Sequence, residues 1–137
     1  MLASQFDINV TPQILNKFLR SNNGYTPNNE IYWAKVSELT PQLQFQNYVK
    51  WRAIPADMDM VTNELELHPV ILQVDFKPLT ENYLDTHFVV ATGYTGTDID
   101  IIDPWDGTKT QLLKRYALSN WNLARAILAM VIYTQKE

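Results

Sequence analysis

His87-Phe-Val-Val-Ala-Thr-Gly-Tyr94, followed by Asp98-Ile-Asp-Ile-Ile-Asp-Pro-Trp-Asp-Gly107, decides the reading of this chain. The first segment is apolar at successive positions, which suits a central strand covered on both faces. Thr95-Gly-Thr-Asp98 reads as a hairpin turn. A histidine therefore opens one predicted strand and an aspartate closes the next. Two strands so related can bring an imidazole and a carboxylate together, as a nucleophile-activating site requires. Yet the 137 residues include no cysteine, so the thiol expected beside such a pair is not among them.

Whether the two side chains meet depends on register. With Thr95 opposite Asp98, an uninterrupted ladder puts Asp103 opposite Val90, on the wrong face for His87. The alternation in Asp98-Ile-Asp-Ile-Ile-Asp breaks at Ile101-Ile102, which predicts a bulge or strand end there. A one-residue shift puts Asp103 opposite Val89 and makes it a diagonal neighbour of His87, within about 7–8 Å between backbones. The carboxylate would then accept from the imidazole Nδ1 and hold its tautomer. The same residues also admit a purely structural account, as a strand-initiating histidine and a turn aspartate before proline. Pro104 and the Asp106-Gly107 pair are ordinary turn formers.

Other titratable groups carry less. Asp98, Asp100, Asp103 and Asp106 have apolar residues between them and no glutamate at EF-hand spacing downstream, so no metal site is expected. No cofactor is expected either. His68 before Pro69 reads as a helix-to-strand boundary residue, and Glu64, Glu66 and Asp75 as solvated positions.

Upstream the pattern is helical. Residues 1–6, Met1-Leu-Ala-Ser-Gln-Phe6, read as the last turns of a helix whose beginning is absent, with no capping residue before them. Thr11-Pro12 is a helix start, and Ile14, Leu15, Phe18 and Leu19 form its apolar face. Asn22-Asn23-Gly24 ends it through left-handed conformations. A second short helix is predicted over residues 28–39, an edge strand or extended segment over 43–52, and a third helix over 58–67. The period then changes from 3.6 to 2, with strands predicted over 70–76, 87–94, 98–103, 110–116 and 127–133. Helices first and antiparallel strands afterwards is an α+β layout, taken as a single domain over residues 1–137.

Composition excludes several classes. Eleven basic and fifteen acidic residues leave a net charge of −4, without the basic footprint of a nucleic-acid binder. Residues 126–133, the longest apolar run, are far too few to span a membrane. The N-terminus lacks the regions of a signal peptide, and nothing fixes the compartment. Without cysteine the chain has no disulfide, cysteine-ligated zinc or thiol catalysis of its own.

Taken together, His87-Phe-Val-Val-Ala-Thr-Gly-Tyr94 and Asp103-Pro-Trp-Asp-Gly107 resemble the second half of the bacteriocin-processing, double-glycine-leader-type cysteine peptidases, which have a papain-like fold. Thr11-Pro-Gln-Ile-Leu-Asn-Lys-Phe-Leu19, Gly24-Tyr25 and Trp33 resemble the helical region that follows that family's nucleophile helix, and Pro69-Val-Ile-Leu72 the strand before its histidine. The resemblance covers most of the chain in the family's order. It implies that His87 is the general base, that Asp103 is the orienting acid, and that Trp105, Gly24 and Tyr25 are substrate-binding positions. It also implies a microbial or viral source.

The family's cysteine and its oxyanion-hole glutamine would lie several residues before Met1, and Ser4 and Gln5 sit wrongly in the helix to replace them. A domain lacking that helix would leave Leu2 and Phe6 in need of cover from a preceding segment, a partner chain or a second copy. Three readings follow. The first is a catalytically incompetent papain-like domain that acts as a binding or structural module for a peptide or protein partner. The second is the His/Asp-bearing part of an active cysteine peptidase or amidase whose cysteine lies upstream or on another chain. The third is an unrelated α+β binding domain.

Overall fold

The computed structural model describes residues 2, 12–27, 31–51, 54–75, 86–104, 107–115 and 123–135. Within them the elements run α1 (Pro12–Ser21), a 3₁₀ turn (Trp33–Lys35), α2 (Val36–Leu39), β1 (Leu43–Lys50) and α3 (Met58–Leu67). They continue as β2 (Val70–Asp75), β3 (Thr86–Tyr94), β4 (Ile99–Ile102), β5 (Lys109–Gln111), α4 (Leu112–Arg115), α5 (Leu123–Ala126) and β6 (Ile127–Gln135). The strands form one sheet in the order β1-β6-β2-β3-β4-β5, and the β2–β3, β3–β4 and β4–β5 ladders are antiparallel. This is an α+β fold. No helix among the described residues is long and apolar enough to cross a membrane.

The chain divides into two compact units. One holds residues 49–130 and the other residues 2–48 and 131–137. In the larger unit, α3 starts at Asp57, whose carboxylate accepts from the Met60 N–H at 3.2 Å. Such a cap is worth about 1 kcal/mol. Val61 and Leu65 lie one turn apart and are both buried. The helix stops at His68, whose extended backbone precedes Pro69, a residue type that biases its predecessor away from helix. His68 is a boundary residue with both ring nitrogens engaged, Nε2 at 3.0 Å from Glu64 and Nδ1 at 2.9 Å from the Pro69 carbonyl. Glu64 is therefore paired rather than merely solvated.

In β2 three successive residues, Leu72, Gln73 and Val74, are buried, so both faces of this strand are covered. Leu72 and Val74 are fully buried, each worth roughly 1.5–3 kcal/mol relative to exposure. β3 pairs with β2 over its first six residues, Val74 lying opposite His87. On its other side β3 pairs with β4, so the histidine strand is interior to the sheet as its apolar pattern requires.

In the smaller unit, α1 buries Leu19 but leaves Ile14 exposed, so the apolar stripe is narrower than its period predicts. Asn23, at φ 56°, supplies the left-handed residue that ends the helix. The Gly24 N–H then returns to the Leu19 carbonyl at 2.7 Å. The predicted second helix is shorter: Ile31 bridges to Tyr25, and helical geometry begins only at Trp33. The Ser37 hydroxyl ties α2 to β1, donating to the Leu43 carbonyl and accepting from the Phe45 N–H. Tyr133 packs edge-on against Phe45 and donates its hydroxyl to the Trp33 carbonyl. Leu2 is helical and only 5 % exposed, so within the chain it is already covered. The other residues of the predicted N-terminal helix end lie outside the described residues.

One further expectation is corrected. Residues 110–116 do not make a full strand: β5 ends at Gln111, and the chain turns into α4 at Leu112. The cause lies at Asp98, whose carboxylate accepts from the Leu113 and Lys114 N–H groups at 2.9 and 3.2 Å. It thereby satisfies the donors a helix start leaves open.

Candidate functional site

The site is built on the β3–β4 hairpin. Its turn closes with the Thr95 N–H donating to the Asp98 carbonyl at 2.9 Å. From there Tyr94 lies opposite Ile99 and Gly93 opposite Asp100, but Ala91 is opposite Ile101 and Val90 opposite Ile102. Thr92 is thus an extra residue on β3 that faces no partner of its own. The register shift that Asp103 needs does occur through a bulge in β3 at Thr92, and at Ile101-Ile102 the second of the two expected outcomes holds, since β4 ends at Ile102. An interior strand glycine is a recognised signal for a bulge, and Gly93 is that signal.

With the ladder so shifted, Asp103 comes opposite Val89, and His87 is its diagonal neighbour on the same face. His87 Nε2 lies 2.8 Å from Asp103 Oδ1. The contact is through Nε2 and not through the expected Nδ1. Asp103 is completely buried, whereas the His87 side chain keeps 23 % exposure.

A buried carboxylate needs compensation, and here a cation supplies it: Arg115 Nε stands 2.8 Å from Asp103 Oδ2. The guanidinium stays charged at any ordinary pH, so Asp103 is held as the carboxylate. An ionised carboxylate only accepts hydrogen bonds, so the proton in the 2.8 Å contact belongs to His87 Nε2. In neutral His87 the lone pair is then on Nδ1, which makes Nδ1 the ring's basic nitrogen. Chemically this is an imidazole whose orientation and tautomer are set by the Asp103 carboxylate. Arg115 was missed because nothing in its neighbourhood marks it. Only the rule that a buried aspartate requires a cation could have prompted a search.

The loop after Asp103 returns at once. The Asp103 N–H donates to the Thr108 carbonyl at 3.0 Å, and the Gly107 N–H donates to the Asp103 carbonyl at 2.7 Å. Gly107 has φ 74°, which glycine adopts without cost. This turn brings β5, and after it Arg115, back alongside β4.

The remaining predicted site residues are placed differently. Gly24 and Tyr25 belong to the smaller unit and are engaged within it. A Cβ on Gly24 would lie 2.4 Å from Leu19 Cδ2 and 2.9 Å from Leu19 Cα, so glycine is required there by packing. The Tyr25 hydroxyl donates to Asn16 at 2.6 Å, and Arg20 stacks 5.6 Å from its ring centroid. Trp105 lies outside the described residues. No group of three or more His, Cys, Asp or Glu among the described residues could hold a metal ion.

Compared with protein-family models, with curated proteins and with solved structures, the chain finds no match, so the reading of the site rests on its own geometry.

Proposed function

We propose that this chain is a papain-like, cysteine-peptidase-like domain that is catalytically incompetent by itself and binds a peptide or protein partner at the face carrying His87. The supporting observation is the 2.8 Å contact between His87 Nε2 and a carboxylate with 0 % exposure. A structural ion pair is satisfied by Asp103 and Arg115 alone. The part-exposed imidazole on the second oxygen adds a ring of defined direction to this face. The 137 residues offer no thiol for it to activate.

The same geometry favours a second reading, in which this is the His/Asp part of an active cysteine peptidase or amidase whose cysteine is upstream or on another chain. An imidazole presenting Nδ1 is what such a nucleophile would need.

Two measurements decide. The chain is incubated with fluorogenic peptides and, separately, titrated with short extended peptides while the His87 ring resonances are followed. Expected are no turnover and a saturable shift at His87. Turnover lost in His87→Ala would overturn the incompetent reading, and unmoved His87 resonances across the peptide set would overturn peptide binding there. Sequencing the encoding DNA upstream of Met1 separates the second reading: without an in-frame cysteine-bearing helix, or such a segment on a partner chain, it fails.

A further inference from the structure

Arg115 is the least expected member of the cluster, and its own support can be traced. It ends α4, a single helical turn whose Leu113 and Lys114 N–H groups are held by the Asp98 carboxylate. Asp98 is itself buried at the hairpin turn and also accepts from the Ile99 N–H at 2.8 Å. Asp98 lies at the opposite end of β4 from Asp103. A chain of charge-assisted contacts therefore runs from the hairpin turn, through α4, to Arg115, then Asp103, then His87.

We infer that Arg115 is a positioning residue for His87: delivered by the turn that Asp98 caps, its guanidinium fixes Asp103 so that Oδ1 is presented to His87 Nε2 and the ring is held in one tautomer. A carboxylate has two oxygens and a freely rotating terminal torsion. With Arg115 on Oδ2 at 2.8 Å and no exposure to solvent, rotation breaks a charge-assisted hydrogen bond that water cannot replace. Oδ1 is thereby fixed in direction as well as in charge. Without the guanidinium the buried carboxylate would turn towards other donors or take up a proton, and a protonated Asp103 no longer selects Nε2–H. Lysine would restore the charge but not the directed Nε–H.

This inference deepens the proposed function but is tested apart from it, in the peptide-free chain. Long-range ¹H–¹⁵N correlation spectra give the His87 tautomer, and the rate at which the Nε2 proton exchanges with water reports how firmly Asp103 holds it. The wild type is expected to show Nε2–H alone. In Arg115→Gln the tautomers mix and exchange accelerates about tenfold or more, the loss expected of one hydrogen bond to a charged group. Arg115→Lys falls between the two. The amide spectrum shows whether each variant is folded. Should Arg115→Gln fail to fold, Arg115→Lys decides by the same readout, intermediate exchange supporting the inference. A single Nε2–H tautomer with wild-type exchange in the folded variants would overturn it. Loss of peptide binding would leave it untouched.

Discussion

Asp98 and Asp103 flank β4 at its two ends, 8 % and 0 % exposed respectively. Both carboxylates are fully engaged, but with different kinds of partner. Asp98 accepts from three backbone N–H groups, of Ile99, Leu113 and Lys114. Those donors never change charge, so Asp98 acts as a fixed clamp on the turn and on α4. Asp103 is shared between Arg115, which is always charged, and His87, which can gain or lose a proton. Acid–base chemistry is therefore available at only one end of the strand. The difference shows why burial of an acidic residue is not in itself a sign of function: the nature of the partner decides.

Inserting one alanine between Ile102 and Asp103 should have the largest effect. With the Thr92 bulge kept, Asp103 would then come opposite Phe88, away from His87 and onto the other face. The loss should be about 4–5 kcal/mol in a urea melt, since a buried charge leaves its partners, and a variant as stable as wild type would show that the register does not set the site. Asp103→Ala, which removes the carboxylate between Arg115 and His87, should cost about 3 kcal/mol. Asp98→Ala should cost less, about 2 kcal/mol, because its backbone donors can reach water when α4 frays. The reverse order would mean that the turn, and not the His–Asp–Arg cluster, dominates the hairpin.

A smaller effect extends the contrast to the other unit. The Tyr133 hydroxyl donates to a backbone carbonyl, that of Trp33, and burial pushes its ionisation well above the ordinary tyrosine range. Below about pH 10 both folded and unfolded chains keep the proton, and stability is unaffected. As pH rises above that, the unfolded chain releases it first, so stability falls by at most about 1.4 kcal/mol per pH unit until the folded phenol also ionises. Tyr133→Phe should flatten this alkaline slope in pH-dependent melts. An unchanged slope would assign it to other groups.

Much of this arrangement was legible in the residues. The change of hydrophobic period located α3 and the strands after it, because packing on two covered faces leaves a direct imprint on β2 and β3. The register of Asp103 was legible as a requirement, since His87 cannot reach it otherwise. The paired isoleucines marked where β4 ends, at Ile102, but the bulge that shifts the register lies in β3, where one glycine beside Thr92 is a quieter signal. The nitrogen that meets Asp103 could not be read, since it depends on a rotamer. Arg115 was invisible for a related reason: α4 replaces the predicted strand only because a carboxylate fifteen residues earlier, Asp98, caps it. Long-range side-chain capping leaves no local pattern. The 3₁₀ start at Trp33 was hidden likewise, by a Tyr25–Ile31 bridge that no periodicity announces.

At the centre of the site, His87 is held by Asp103 through Nε2. A long-range ¹H–¹⁵N correlation spectrum of the wild-type chain near neutral pH reads this directly. The geometry predicts a protonated Nε2 and an unprotonated Nδ1 in a single tautomer, with that signature lost in Asp103→Ala. A protonated Nδ1, or rapidly averaged tautomers in the wild type, would contradict it.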